Sequence, residues 1–152
     1  MVNGNFEEEI IPGGFSWRMD LMAKNAVQVD DGEFHSGSNS LKVSFDGKAF
    51  ADSGLSQFVA VKPGNHYELL VDAKLQEIDT ANGPRFIVVD GFTNLPLAIG
   101  PEWLGTHGWE TASIPFVAAK ETRLVRVLLG RVSEFGLIRG HLWIDNVRLY
   151  ER

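Results

Sequence analysis

Short segments of alternating apolar and polar residues recur along most of this chain. Residues 40–45 read SLKVSF, with Leu41, Val43 and Phe45 at alternate positions, and residues 66–76 read HYELLVDAKLQ with the same period of two. A period of two is typical of a β-strand with one buried face, because successive side chains point to opposite sides of a sheet. We therefore predict a strand over each segment. In the longer segment, the residues predicted to face the core are Tyr67, Leu69, Val71, Ala73 and Leu75.

Other segments are rich in β-branched and aromatic residues, which favour strands. Turn signals such as Asp-Gly, Pro-Gly and Asn-Gly fall between them at short intervals. No segment of ten residues keeps a helical period, so we predict an all-β fold, an antiparallel two-sheet β-sandwich. The further strands are predicted at 56–61, 85–90, 111–116, 123–132 and 142–149.

Length and composition limit the classes of function. The chain has 152 residues, a net charge of −6 and no cysteine. The acidic balance makes nucleic acid an improbable partner, and no apolar run reaches the length of about 20 residues that membrane insertion requires. The chain opens on MVNGNFEEE without a leader segment, so we expect residues 1–152 to be one domain excised from a larger protein.

No catalytic constellation emerges from the sequence. The four histidines are scattered, no serine lies in a Gly-x-Ser-x-Gly turn, and the acidic runs at 7–9 and 30–31 are typical of solvated surface. We therefore predict no catalytic residues and a protein that is not an enzyme.

Asp145 stands in the middle of a strand pattern, LWIDNVRL at 142–149. Regular alternation would place it on the same face as Trp143, Val147 and Leu149, and a buried carboxylate needs a compensating partner. One solution is a calcium ion shared with Glu7, because calcium takes carboxylate and carbonyl oxygens. The other is that Asp145 caps backbone N–H groups or pairs with an arginine, without a metal.

Five motifs in order resemble the carbohydrate-binding modules of the family 4, 9 and 22 group, within the galactose-binding-like jelly rolls. They are NGNFE at 3–7, GSNSLKV at 37–43, VKPGNHYELLVDAK at 61–74, the spacing from Trp109 to Phe116, and LWIDNVRL at 142–149.

The resemblance implies a non-catalytic domain that is extracellular or in the cell envelope, with a structural calcium where the chain ends meet. The first and last strands would then be neighbours. The implied calcium ligands are the side chains of Glu7 and Asp145 and carbonyls near Asn5, Ser36 and Asn39.

Sugar sites combine aromatic faces with planar polar side chains that bond hydroxyl groups. Trp103 and Trp17 lie beside glycine-containing loops and are the candidate exposed platforms, whereas Trp109 and Trp143 are predicted to be structural. One sheet of the resembling modules forms a concave groove. The polar residues predicted to line it are Glu68, Asp72, Arg85 and Arg126, although a salt-bridged solvent face would use the same residues.

The leading hypothesis is a carbohydrate-binding domain that recognises a poly- or oligosaccharide on a sheet groove and is joined to other domains of a parent protein. The alternative is a structural or protein-interaction β-sandwich of a larger bacterial envelope protein that binds no sugar. A jelly-roll enzyme is a third reading.

Overall fold

The computed structural model describes residues 1–20, 26–49, 51–133 and 136–152. These residues contain ten β-strands and no helix, so they also contain no helix that could cross a membrane. The strands are β1 (Arg18–Met19), β2 (Val27–Asp30), β3 (Ser40–Asp46), β4 (Asp52–Ala60), β5 (His66–Asp79), β6 (Arg85–Asp90), β7 (Pro96–Ile99), β8 (Gly105–Val117), β9 (Leu124–Gly130) and β10 (Arg139–Glu151).

The strands form two five-stranded sheets. Sheet A has the order β1-β4-β9-β6-β7 and sheet B the order β2-β3-β10-β5-β8. Every strand pair in both sheets is antiparallel. The predicted antiparallel two-sheet β-sandwich is therefore confirmed.

The core lies between the inner faces of the two sheets. All five residues of β5 that were predicted to face inward are buried. They meet an apolar layer from sheet A, and the burial of this apolar surface is the main term that holds the sheets together. The sheet A layer includes Leu55, Phe86, Val88, Val125, Val127 and Leu129.

A bulge in β10 reverses the alternation that the sequence suggests. Between Asp145 and Arg148 the register with β5 shifts by one residue, and Asn146 has a φ of 48°. Such a bulge moves all following side chains to the opposite face. Val147 is therefore in the core cluster, whereas Trp143 is on the outer face of sheet B. The prediction that the two share an inward face is wrong.

The amino-terminal segment contacts β10 without being a strand. The Val147 N–H donates to the Gly4 carbonyl at 2.8 Å. Asn3 and Phe6 have positive φ angles, which interrupt an extended conformation. The first strand, β1, lies in sheet A, so the prediction that the first and last strands are neighbours is wrong, although the terminal segment does reach the last strand.

Candidate functional site

Asp145 is fully buried and its charge is compensated by backbone amides. Its Oδ2 accepts N–H bonds from His35 and Ser36, both at 3.0 Å, and its Oδ1 accepts the N–H of Asn146 at 2.7 Å. Burial raises the pKa of Asp145, and these three N–H bonds act in the opposite direction. The structure thus shows Asp145 capping backbone N–H groups, which was one of the two alternatives considered for this aspartate.

Glu7 binds the same loop from the other end of the chain. Its Oε1 accepts the N–H groups of Ser38 and Asn39, each at 2.9 Å. Gly37 lies between the two carboxylates with a φ of 67°, and a Cβ atom there would clash with the Glu7 carboxylate. Only glycine suits this position, which the sequence analysis did not identify.

The predicted calcium ligands converge on this loop, which we call the amide loop (residues 35–39). Ser36 and Asn39 belong to it, and Glu7 and Asp145 bond to it. Asn5 is exposed in the adjacent terminal segment. No cluster of three or more His, Asp or Glu side chains that could hold a metal occurs among the described residues. The loop presents N–H groups to both carboxylates, so a calcium ion, which takes only oxygen ligands, would have to replace some of these bonds.

Asp72 is enclosed on the outer face of sheet B. Its side chain is 2% exposed and accepts hydrogen bonds from the Thr111 hydroxyl at 2.6 Å and the Asn146 amide at 3.0 Å. Arg148 and His35 approach it at 3.2 Å. Because these neighbours take up its oxygens, Asp72 is not an accessible groove residue, and that prediction is wrong.

Glu68 lies farther along the same face. It accepts the Ser113 hydroxyl and bonds to the Arg152 guanidinium, and these two contacts lower its pKa. Its side chain is 17% exposed. It therefore joins β5 to the edge strand β8 and to the carboxyl-terminal residue Arg152.

The two tryptophans proposed as exposed platforms are both buried. Trp103 is 6% exposed and packs edge-on against Phe86, with ring centroids 5.9 Å apart. Trp17 has no exposed surface and packs against Phe6 at 5.5 Å. Burial of a large indole stabilises the folded state because it removes apolar surface from water. The prediction that these two residues are exposed platforms is therefore wrong.

Outward-facing aromatic rings are found elsewhere. Trp109 is half-buried and packs edge-on against His35, with ring centroids 5.5 Å apart, so it is not the core residue that was predicted. Trp143 is covered by the ammonium groups of Lys42 and Lys74, 5.1 and 5.7 Å from its ring centroid. Its indole N–H donates to Asp30 at 2.7 Å.

On the outer face of sheet A, a phenylalanine lies among guanidinium groups. Phe58 is half-buried on β4, directly opposite Arg126 of β9 in the register. The Arg18 guanidinium lies 5.1 Å from the ring centroid, and Arg126 bonds to Asp52 at 2.7 Å. We call this group the phenylalanine face (Arg18, Asp52, Phe58 and Arg126).

Arg85 lies on the same side of sheet A, on β6. It contacts the Gly100 carbonyl at 3.4 Å and Glu102 at 3.5 Å, and its buried Nε has no hydrogen-bond partner among the described residues. Arg85 and Arg126 are therefore on sheet A, whereas Glu68 and Asp72 are on sheet B. The four predicted polar residues lie on opposite sides of the sandwich and do not line one groove.

This sandwich is similar to solved carbohydrate-binding modules. A family 4 module matches over 99% of this chain and 98% of its own, with a TM-score of 0.71 and 11% identity. The chain has the fold of a carbohydrate-binding module. A family 61 module in complex with β-1,4-galactotriose matches over 100% of this chain and 97% of its own, with a TM-score of 0.68 and 19% identity. Modules of families 16 and 22 match as well.

The same fold also occurs in enzymes. A cyclase from Fischerella sp. TAU in complex with 4-(1H-indol-3-yl)butan-2-one matches over 100% of this chain and 96% of its own, with a TM-score of 0.64 and 18% identity. No family model and no curated protein matches the sequence. The comparisons therefore show the fold, and a function has to be argued from the residues on its surfaces.

Proposed function

We propose that this domain binds a poly- or oligosaccharide without catalysis, on the outer face of sheet A. The observation that carries the proposal is the phenylalanine face. The Phe58 ring, with the Arg18 guanidinium over it, offers a flat surface to a sugar ring, and Arg18 and Arg126 offer N–H donors to the hydroxyl groups around it. Arg85 extends the same face with a guanidinium that has a buried Nε without a partner among the described residues.

The fold supports the sugar assignment, because the similar structures include carbohydrate-binding modules of several families, one of them in complex with β-1,4-galactotriose. The lack of catalytic motifs in the sequence supports binding without catalysis. We further propose that the domain acts outside the cell or in the cell envelope, as one part of a larger protein.

Affinity electrophoresis over soluble polysaccharides, followed by a glycan array, tests the proposal. We expect the parent protein to be retarded by at least one polysaccharide, and Phe58→Ala or Arg126→Ala to abolish the retardation. Phe92→Ala is the matched control, because Phe92 is 76% exposed on the turn after β6 and outside the phenylalanine face. Retention of binding in Phe58→Ala would contradict the assignment of the face.

We also propose that calcium stabilises the contact between the terminal segment and the amide loop. Glu7 and Asp145 supply two carboxylates at one loop, and calcium bound to the folded state would stabilise it by mass action. Thermal unfolding of the parent and of Asp145→Asn, each in millimolar calcium and in chelator, tests this. The midpoint of the parent should fall on chelation and that of the variant should not; a parent without bound metal and indifferent to chelator would contradict the proposal.

A second candidate is a protein-interaction domain. The turn between β6 and β7 and the adjoining strand carry three exposed apolar side chains, and a cluster of this kind is typical of a contact surface. Absence of binding to every glycan, together with a protein captured by the parent and lost in Phe92→Ala, would favour this function. The three residues are Phe92, Leu95 and Ile99.

A further inference from the structure

The outer face of sheet B contains a cavity of about 330 Å³, on the side of the sandwich opposite the phenylalanine face. This volume is near the lower limit of small-molecule sites, about 300 Å³. Its lining residues are Glu33, Lys74, Leu75, Gln76, Thr106, His107, Gly108 and Trp143.

Two bulges between β5 and β8 open the ladder at this point. One register shift lies between Ala73 and Leu75 and the next between Leu75 and Ile78. Bulges interrupt the regular pairing and redirect side chains, and they occur often beside functional sites. The Thr106 hydroxyl accepts the N–H of Glu77 at 2.9 Å across the second bulge, which fixes the wall of the cavity.

The aromatic wall of the cavity is held in place. The Trp143 indole N–H bonds to Asp30, and this bond is the main cause of the lowered pKa of Asp30. Lys74 lies against the ring and bonds to Glu33 at 2.8 Å, so loop and strand are tied together at the cavity. A wall held in this way needs little reorganisation when a ligand binds.

The polar groups of the cavity retain hydrogen-bonding capacity. The Gln76 amide has no hydrogen bond among the described residues, and offers both donors and an acceptor. The His107 Nδ1 lies 2.6 Å from the Gly108 carbonyl, which can only accept, so Nδ1 donates in this contact and Nε2 has no hydrogen bond among the described residues. Glu33 and Lys74 neutralise each other.

We propose that this cavity is a second carbohydrate site, which takes one neutral sugar ring. A small volume, mixed donors and acceptors and a cancelled charge suit a ring with many hydroxyl groups, and they give no advantage to a charged ligand. Trp143, which is 5% exposed with Lys42 and Lys74 against its ring, lines the cavity without an open ring face. With the phenylalanine face on the other sheet, the domain has two sites that point away from each other and can engage two chains at once.

NMR titration of the labelled protein with methyl glycosides of glucose, galactose, mannose and xylose tests the second site directly. We expect saturable shifts at the Gly108 amide and the Trp143 indole N–H for at least one glycoside. Gly108→Phe should remove the shift at the Trp143 indole N–H, because a Cβ at Gly108 meets no atom within 4 Å and the ring has room to fill the cavity. Lys120→Phe is the control for an added exposed phenylalanine, and should keep the shifts.

Gln76→Ala gives an independent test, because Gln76 is exposed and its loss does not threaten folding. The affinity should fall about fivefold to tenfold, the value of one or two hydrogen bonds. Absence of saturable shifts at Gly108 and Trp143 in the parent, or an unchanged Trp143 shift in both Gly108→Phe and Gln76→Ala, would overturn the second site.

The two proposed sites can be tested independently of each other. Phe58→Ala should leave the shifts at Gly108 and Trp143 intact while it removes polysaccharide retardation. Shifts confined to β1, β4 and β9 would support the phenylalanine face and overturn the cavity; shifts confined to the cavity would do the reverse.

Discussion

Each sheet carries an aspartate bonded to an arginine on its outer face. On sheet B the pair is Asp72 with Arg148, and the aspartate is 2% exposed; on sheet A the pair is Asp52 with Arg126, and the aspartate is 41% exposed. The first carboxylate also bonds to Thr111 and lies beside the amide loop, whereas the second lies at an open sheet surface. The same type of ion pair is therefore inaccessible to a ligand on sheet B and accessible on sheet A.

The comparison shows which polar residues are available to a ligand. Residue type does not decide it, since both are aspartates paired with an arginine of a neighbouring strand. What decides it is whether neighbouring groups have already taken up the hydrogen-bonding capacity and excluded water.

The largest difference between the faces should appear on removal of these carboxylates. Asp72→Ala leaves Arg148 and Thr111 without their buried acceptor and should lower the free energy of unfolding by about 3 to 5 kcal/mol. Asp52→Ala should cost about 1 kcal/mol or less, because an exposed ion pair contributes little. Urea unfolding measures both, and equal losses would contradict the contrast.

The aromatic residues should differ in the same direction. Trp143 is 5% exposed, and its replacement by alanine should cost about 3 kcal/mol. Phe58 is half-buried, and its replacement should cost about 1 kcal/mol. Thermal unfolding of the two variants checks the order; a greater loss in Phe58→Ala would mean that sheet A has the more tightly packed outer face.

Two glycines beside sheet B, Gly37 in the amide loop and Gly108 at the cavity, should respond differently to substitution by alanine. Gly37→Ala forces a side chain into a left-handed conformation beside Glu7 and should cost about 1 to 3 kcal/mol. Gly108→Ala meets open space at the cavity and should change stability by no more than about 0.5 kcal/mol. Comparable destabilisation in both variants would show that the cavity does not have the open space described.

Acid should weaken the contact between Asp30 and Trp143. The pKa of Asp30 is lowered from its ordinary value of 3.8, chiefly by the indole hydrogen bond. A group with a lowered folded-state pKa stabilises the fold above its unfolded value and loses this effect as pH falls through the folded one. The stability difference between the parent and Asp30→Asn should therefore narrow as the pH falls from about 5 through the lowered pKa of Asp30. A difference that widens on acidification would contradict the assignment.

Much of the fold could be predicted from hydrophobic alternation, because a strand with one buried and one exposed face has apolar and polar residues at alternate positions. The β6 strand matches its predicted bounds, 85–90, and the inner face of β5 is as predicted. In β10 the predicted strand, 142–149, lies within the observed one, and Val147 and Leu149 face the core as predicted, whereas Trp143 does not. The difference comes from the bulge at Asn146, which depends on a positive φ that asparagine tolerates and that the pattern does not reveal.

The candidate sites were less predictable, because exposure depends on contacts between distant segments. Trp103 is in a loop by sequence, yet its N–H bonds to the Pro84 carbonyl and its ring packs in the core. Phe58 lies within a strand that the sequence predicts, but nothing local shows that Arg18 covers its ring. The sequence suggests a pairing of Glu7 with Asp145, but nothing in the local pattern shows that each carboxylate accepts N–H groups of the amide loop.

The position of β10 has a consequence for the order in which the chain is made. This strand is the last of the described ones, and it lies in the middle of sheet B, between β3 and β5. Residues 139–151 are synthesised after β3 and β5, the two strands that β10 pairs with. Until then β3 and β5 each have an unpaired edge that can pair with another chain. Sheet B is completed only when this segment emerges, which makes folding of the domain an event that follows its synthesis.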